Sequence, residues 1–475
     1  MHHEAGSMSR VVVIGGGITG LTTALTLFTQ NVDVELLEAS DRLGGKILTT
    51  QVRGMSVDAG PDAFLVRESH MTELCDQLNL TQDLVPPATG SARVWLKGAL
   101  RRLPKRQYLG VPLDLNDLED TGLLSSEGLE RAAQDLETGA NSPSGDESAG
   151  SLIRRRLGDE VMDRLVGPLL GGINAGNADM LSLQAGVPQL AAAAAHDPSL
   201  MRSIPKHLHD MRRDPDAPIF LTHPNGLGQV VDAIATRLQQ RTHLDQPVRR
   251  LESTDDTWTI HARTRFDADA VVLTAPAFAS ATILADLAPR TAAMLADIEY
   301  ASVVMVTLAF ATHDLPELEG SGYLIPRSEG MLMTACSQAS TKWAHLATGP
   351  TTYLRVSAGH AGDNRAMEMS DEDLVDTLLE ELRWVAGVDA DPREIRITRW
   401  PESFPQYRPG HLDRVTGIEA TLADEAPGVF VAGAAYRGLG LPACVHQARR
   451  AAKAVSDHLG IAPPGPTGPG VRREL

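Results

Sequence analysis

Three glycines near the start of the chain carry the clearest chemical signal. Gly15, Gly17 and Gly20 stand in the spacing GxGxxG, directly after the β-branched run at residues 10–14 and directly before the apolar stretch LTTALTLF. The run reads as a buried strand and the stretch as a helix. In that setting the first glycine permits a tight turn, the second lets backbone approach a pyrophosphate, and the third lets helix and strand pack closely. Gly16, Ile18 and Thr19 complete the turn. The free N–H groups and positive dipole end of the helix face the same place. A second strand, VDVELLE, ends at Glu38, where a carboxylate accepts ribose hydroxyls, and Ala39 follows it. The spacing predicts a βαβ opening that binds a dinucleotide.

Two further segments point to a flavin rather than a nicotinamide dinucleotide. SDRLGGKI sets Arg42, Gly44, Gly45 and Lys46 just past the second strand, a glycine pair flanked by cations that suits another close backbone approach. Far along the chain, GVFVAGAAYRGLGLPACV reads as a strand, a Gly-rich turn and a helix starting near Pro442. The positive end of that helix suits the electron-rich pyrimidine edge of a flavin.

These residues need elements to position them, and the chain is long enough to supply several. Its 475 residues exceed one compact core, so two or three domains are expected, and 43% hydrophobic residues suffice to fill them. The formal charge of −18 argues against non-specific nucleic-acid binding. Cys75, Cys336 and Cys444 are far apart, which gives neither a disulfide framework nor a zinc site and fits a reducing cytoplasm. The fifteen histidines show no metal spacing, and His446, just past the last turn, reads as structural. The longest nearly apolar stretch, residues 301–311, is too short to span a bilayer. No secretion signal opens the chain, and residues 1–7 read as an addition ahead of Met8.

Helical patterns fit residues 69–80, 151–165, 371–385 and 444–459, with β-rich runs at DAVVLTA, ASVVMVTLAF and TTYLRVSAG. In the second of these helices Arg154, Arg155 and Arg156 are expected mostly on the outside. Residues 114–150 carry ten acids and one arginine and end in TGANSPSGDESAG; they read as a partly mobile connection. The Pro/Gly-rich end, residues 461–475, reads as disordered.

Taken together, VVVIGGGITGL, EASDRLGGKI, DAGPDAFL, GPLLGGINAGNADMLSL, TRWPESFPQYRPGH and GVFVAGAAYRGLGLPAC resemble the bacterial oxygen-dependent porphyrinogen oxidases. The first two motifs are shared with amine oxidases and carotene desaturases; GGINAGNADMLSL and PESFPQYRPGH are more specific. The likeness runs from about residue 10 to residue 459 and is greatest to the Gram-positive branch, whose members oxidise coproporphyrinogen III to coproporphyrin III. It implies an α/β (α+β) fold with three parts. These are a discontinuous Rossmann-like FAD domain (8–85, 205–285, 396–460), a helical domain (86–204) and a mixed-sheet substrate domain (286–395). It implies non-covalent FAD held by Gly15 to Gly20 at the pyrophosphate and by Glu38, Ala39 and the backbone of Val248 at the adenosine. Lys46 and the turn Gly60, Pro61, Asp62, Ala63 then border the flavin side, with Trp400 and the turn Leu441, Pro442, Ala443 near the ring. Many relatives carry an acid after the last strand's glycine; here Ala434 follows Gly433, which removes a carboxylate from the ribityl-phosphate region.

The implied reaction is a six-electron oxidation in haem biosynthesis. Hydride leaves a meso carbon pushed by pyrrole nitrogens, and O2 is the final acceptor, giving H2O2. The flavin carries the hard step and the protein positions the macrocycle, so no catalytic acid or base is expected by name. Substrate candidates are Arg67 after the GPDAF turn, Arg93 at the head of an acid-free basic run reaching Arg106, and Asn174 for pyrrole N–H groups. Rival readings are a protoporphyrinogen IX oxidase, a flavin amine oxidase on the same fold, and a non-catalytic haem-pathway flavoprotein. Transient contact with downstream haem-pathway enzymes and peripheral contact with a membrane stay open.

Overall fold

The computed structural model describes residues 9–137, 145–210, 218–254 and 257–461. The leader 1–7 and nearly all of the 461–475 tail therefore lie outside the described residues.

Arg10–Ile14 forms a strand at the centre of a five-stranded sheet. Its neighbours are Asp33–Leu37 on one side and Ala270–Leu273 on the other, with Thr242–His243 and Val429–Val431 at the edges, all parallel. Successive side chains of a strand face opposite ways, and a parallel sheet is covered on both faces. Val11 and Val13 accordingly enter one core, beneath the helices Ile18–Thr29, Gly228–Leu238 and Leu441–His458. Val12 and Ile14 enter a second core with Trp258, Ile260, Leu284, Leu295 and Ile418. The chain thus returns to this sheet three times, and its strand ends at residues 14, 37, 273 and 431 share one edge.

A mixed sheet of seven strands runs in the order Glu394–Pro405, Tyr300–Ala311, Thr351–Ala358, Met333–Gln338, Gly322–Leu324, Ala92–Leu96 and Ala99–Arg102. Only Gly322–Leu324 and Ala92–Leu96 pair in parallel. One face is covered by the helix Asp371–Ala386, which buries Leu374, Leu378, Leu382 and Val385 against Val304, Val306, Leu354 and Val356. On the other face Ala309 and Tyr353 pack with Val52 and Val57 of the hairpin at residues 49–58 and with Trp343. Both edges of this sheet come from outside the 286–395 stretch assigned to it from sequence. Residues 92–102 lie in the stretch expected to be helical, and 394–405 straddles the start of the last FAD segment. Backbone pairing is long-range and leaves no trace in local pattern.

The acid-rich stretch differs most from expectation. Apart from residues 138–144, which lie outside the description, it is structured. Asp114 caps Leu115–Glu119 by accepting the N–H groups of Asn116 and Asp117, and Ser125 caps Ser126–Ala133 through the N–H of Gly128. Leu118, Leu123, Leu124 and Ala132 drop into a helical core with Leu152, Leu165 and Leu190. Composition pointed to mobility, but the sparse leucines recur on one side and find a partner core.

The helix expected at 151–165 is also broken. Ala149–Leu157 stops at Gly158, whose φ is 90°. A wider turn at Met162–Val166 then leads into Gly167–Asn174. Arg154 faces outward to Asp159, Asp163 and Asp179, but Arg156 is buried, contrary to expectation.

Candidate functional site

The Gly-rich turn is built as its spacing requires. Gly15 has φ +112°, and a Cβ on Gly20 would lie 1.9 Å from the Gly15 carbonyl oxygen. Both glycines are therefore demanded by the turn itself. Gly17 differs: its backbone is extended and a Cβ there would meet nothing within 4 Å. Gly17 is also the N-cap of Ile18–Thr29 and makes no side-chain cap, so the first-turn N–H groups face that open space.

Other expected segments arrive at the same place. Gly44 bridges to Gly17, and a Cβ on Gly45 would come within 3.1 Å of the Gly17 Cα. Arg42 spends its guanidinium on the carbonyls of Leu43, Gly45 and Ile47, which fixes the shape of this second loop. Glu38 accepts the Gly16 N–H at 2.6 Å and the Ser40 N–H at 2.8 Å. Residues 243–246 run alongside: His243 accepts the Glu38 N–H, and Gln246 donates to the Glu38 carbonyl. Ala39 is exposed and Val248 follows this contact two residues on.

On the other side of the turn, Lys46 points inward. Burial lowers its pKa, and no carboxylate stands within ion-pairing distance among the described residues. Its carbonyl lies against Gly60, where a Cβ would approach to 2.0 Å, and the Trp400 ring edge is within 3.7 Å of the same point. Trp400 donates its indole N–H to the Ala59 carbonyl at 2.9 Å. The Leu441–His458 helix begins at Gly440 without a side-chain cap, with Pro442 in its first turn. One turn in, Cys444 lies between Thr19 and Lys46, and burial pushes its thiol up to about 11. Two uncapped helix starts, two glycine loops, one unpaired lysine and one tryptophan thus share a single open face.

Asp62 turns away from that face. Its carboxylate receives Lys342 Nζ at 2.9 Å, Arg355 Nη1 at 2.9 Å and the Trp343 indole N–H at 3.2 Å. Burial alone would raise its pKa, but Lys342 and Arg355 outweigh that and hold the carboxyl well below the usual range. Arg355 also donates to the Gly60 carbonyl at 2.6 Å. The seven-stranded sheet therefore grips the turn from Gly60 through Pro61 to Ala63 by its backbone and its one acid.

Several residues that hold the site were not singled out from the sequence. The Thr274 hydroxyl donates to the carbonyls of Ile14 and Gly15. Its position after the strand DAVVL, at the edge where α/β sheets bind ligands, was a usable clue. Near Gly433 (φ +140°) and Gly438 (φ +118°), Tyr407 donates to the Ala434 carbonyl and accepts the Gly438 N–H, while Gln447 holds Gly438 and Arg437. Lys342 and Arg355 could not be found locally, since their partner lies about 280 positions earlier in sequence.

The substrate candidates fare unevenly. Asn174 is buried and donates its amide to the Leu170 carbonyl one turn back, so that donor is spent on its own helix. The basic run is not a free positive patch: Arg93 pairs with Glu319, Arg102 with Asp117 and Arg106 with Asp114. The acids come from beyond the run, which is why the run alone looked uncompensated. Arg67 donates to the Tyr108 hydroxyl at 2.9 Å, with Glu68 3.8 Å away. His446 stacks on His70 with ring centroids 4.3 Å apart. Among the described residues no three metal-ligating side chains cluster, and no helix is long and apolar enough to cross a membrane.

Comparison with known proteins places this geometry in a class. Residues 18–456 match the family described as flavin containing amine oxidoreductase, and the chain belongs to that family. A flavin is the cofactor of the class. The chain is 35% identical to a coproporphyrinogen III oxidase from Bacillus subtilis (strain 168), over 94% of this chain and 97% of that protein. It is 30% identical to a coproporphyrinogen III oxidase from Staphylococcus aureus, over 94% and 99%. A solved structure from Exiguobacterium sp. 255-15, provisionally assigned as a protoporphyrinogen oxidase, superposes with a TM-score of 0.85 at 31% identity, covering 96% of this chain and 99% of that one. The cyclohexylamine oxidase of Brevibacterium oxydans shares the fold at 18% identity and a TM-score of 0.69.

Proposed function

We propose that this chain is a coproporphyrinogen III oxidase: it binds FAD without a covalent link and removes six electrons from coproporphyrinogen III, passing them to O2. The observation that carries the reading is the end-to-end likeness, at 30–35% identity, to proteins of that name. The open face described above fits FAD. The space above Gly17 suits the pyrophosphate, with the first-turn N–H groups of Ile18, Thr19 and Gly20 as donors. We assign Glu38, Ala39 and Val248 to the adenosine, and the backbone of Gly60 to Ala63, Lys46, Trp400 and the first helical turn from Leu441 to Ala443 to the ring.

When bound, FAD supplies the hydride acceptor and, with O2, the route to H2O2. The chain's own residues do the rest. Lys46 and the uncapped start of the last helix would hold a bound ring by placing positive potential beside it. The Gly60–Ala63 turn, clamped by Arg355, fixes how near the seven-stranded sheet stands. On this reading that sheet and the helix Gly167–Asn174, which leaves Ile173 exposed, would orient the macrocycle.

The test is to incubate the yellow holoprotein with coproporphyrinogen III and follow porphyrin fluorescence and peroxide, with amines as controls. Three peroxides per coproporphyrin and no amine turnover are expected; amine turnover without porphyrin formation contradicts the reading. Arg93→Ala is expected to change the KM for coproporphyrinogen III by less than about twofold, because this half-exposed arginine already pairs with Glu319. Steady-state kinetics at two salt concentrations check this, and a KM rise of tenfold would return the basic run to the substrate site.

A further inference from the structure

A cavity of about 530 Å³ opens at the end of the seven-stranded sheet. Its lining includes Arg327, Met331, Thr334, His360, Asp363 and Arg365, with Glu368 at the same wall. The formal charges of the lining cancel, so any anion held there must meet a particular group rather than a general field. Arg365 is committed, donating to Asp363 through Nε at 3.0 Å and Nη2 at 2.7 Å. Arg327 is not. Its Nη2 donates to the Gly176 carbonyl at 2.6 Å, and no carboxylate lies within ion-pairing distance of it among the described residues.

The cavity joins the candidate site by short links. The Ala361 N–H donates to the Ala175 carbonyl at 2.7 Å, one residue from His360. Ala175, Ala301 and Val303 form the small apolar cluster against which Trp400 and Ala361 pack. Beside it the helix Gly167–Asn174 leaves Ile173 47% exposed, and Gly172 lies opposite Leu324. An apolar floor near Trp400 thus gives way, toward the sheet end, to a cavity with an uncommitted guanidinium. A macrocycle with an apolar body and carboxylates on its rim has the same arrangement.

We propose that Arg327 receives a propionate carboxylate of the substrate and so positions the macrocycle; this rests on the coproporphyrinogen reading above. With one Nη2 hydrogen taken by Gly176, the guanidinium keeps one edge free to take a carboxylate in a bidentate pair, which a lysine ammonium cannot reproduce. The contact to Gly176 fixes one side of the guanidinium and leaves the rest for the ligand.

The experiment compares wild type, Arg327→Gln and Arg327→Lys as FAD-loaded proteins. For Arg327→Gln the KM for coproporphyrinogen III is expected to rise about tenfold, with kcat changed less than about twofold. The Kd for coproporphyrin III, read by fluorescence quenching, should weaken by the same factor, and Arg327→Lys should fall between. Flavin content and Tm should match wild type. An unchanged KM and Kd in Arg327→Gln overturns the assignment while leaving the function intact. Loss of kcat and Tm with KM unchanged also overturns it, reducing Arg327 to a strut for Gly176. A wild type that neither turns over coproporphyrinogen nor binds coproporphyrin removes the functional reading and this proposal with it.

Discussion

Gly17→Val is expected to give a folded but colourless protein. The backbone at Gly17 is extended, with φ −72° and ψ 176°, a conformation open to any residue, and its added Cβ meets nothing in the chain. The substitution therefore costs the empty fold little. It does place a branched side chain where backbone must approach a pyrophosphate. We expect FAD affinity to fall at least about a hundredfold, and with it the roughly 3 kcal/mol of stability that a ligand at a hundred times its Kd confers. Gly20→Ala behaves differently. Its Cβ would lie 1.9 Å from the Gly15 carbonyl, so helix and strand must separate. A loss of about 3 kcal/mol or more is expected even without FAD. Flavin absorbance of the purified variants and Tm with and without added FAD separate the two cases. Wild-type flavin occupancy in Gly17→Val contradicts the assignment of this turn.

Asp62→Ala is the second large effect. The substitution leaves the Lys342 ammonium and the Arg355 guanidinium, which is 5% exposed, without their acid. Breaking a largely buried pair in this way costs about 3 kcal/mol. Arg355 also holds the Gly60 carbonyl, so the turn beside Lys46 and Trp400 should loosen and FAD should dissociate faster. The pH dependence has a definite sign. Because the folded carboxyl titrates below its ordinary value of 3.8, its contribution is fully present above that value and is lost as pH falls below it. Wild type should thus lose stability steeply below about pH 4, and Asp62→Ala should lose less over the same range. Urea denaturation at several pH values checks this. Equal stability of the two proteins at neutral pH would mean that the clamp contributes nothing.

Much of the site was legible because its chemistry is backbone chemistry. Glycines at 15, 17, 20, 44 and 45 announce close approaches through their residue type, and a strand before and helix after fix their meaning. Glu38 stood out as the acid that ends the second strand, and its carboxylate accepts the Gly16 and Ser40 N–H groups. What could not be read were partners brought together by long-range pairing: Arg355 with Asp62, Glu319 with Arg93, Asp117 with Arg102. Charge runs look unopposed when the opposing charges come from other elements. The acid-rich stretch misled in the same way, since its acids cap helices and answer the basic run instead of keeping the chain mobile. Arg327 carried no motif at all, and only the cavity beside it gives it meaning.

The ratio of kcat/KM for coproporphyrinogen III to that for protoporphyrinogen IX tests the account most directly. The two substrates share the reduced macrocycle that loses six electrons and differ in two propionates, so the ratio isolates recognition from chemistry. Our reading predicts a clear preference for coproporphyrinogen III, part of which disappears in Arg327→Gln. A clear preference for protoporphyrinogen IX would contradict it.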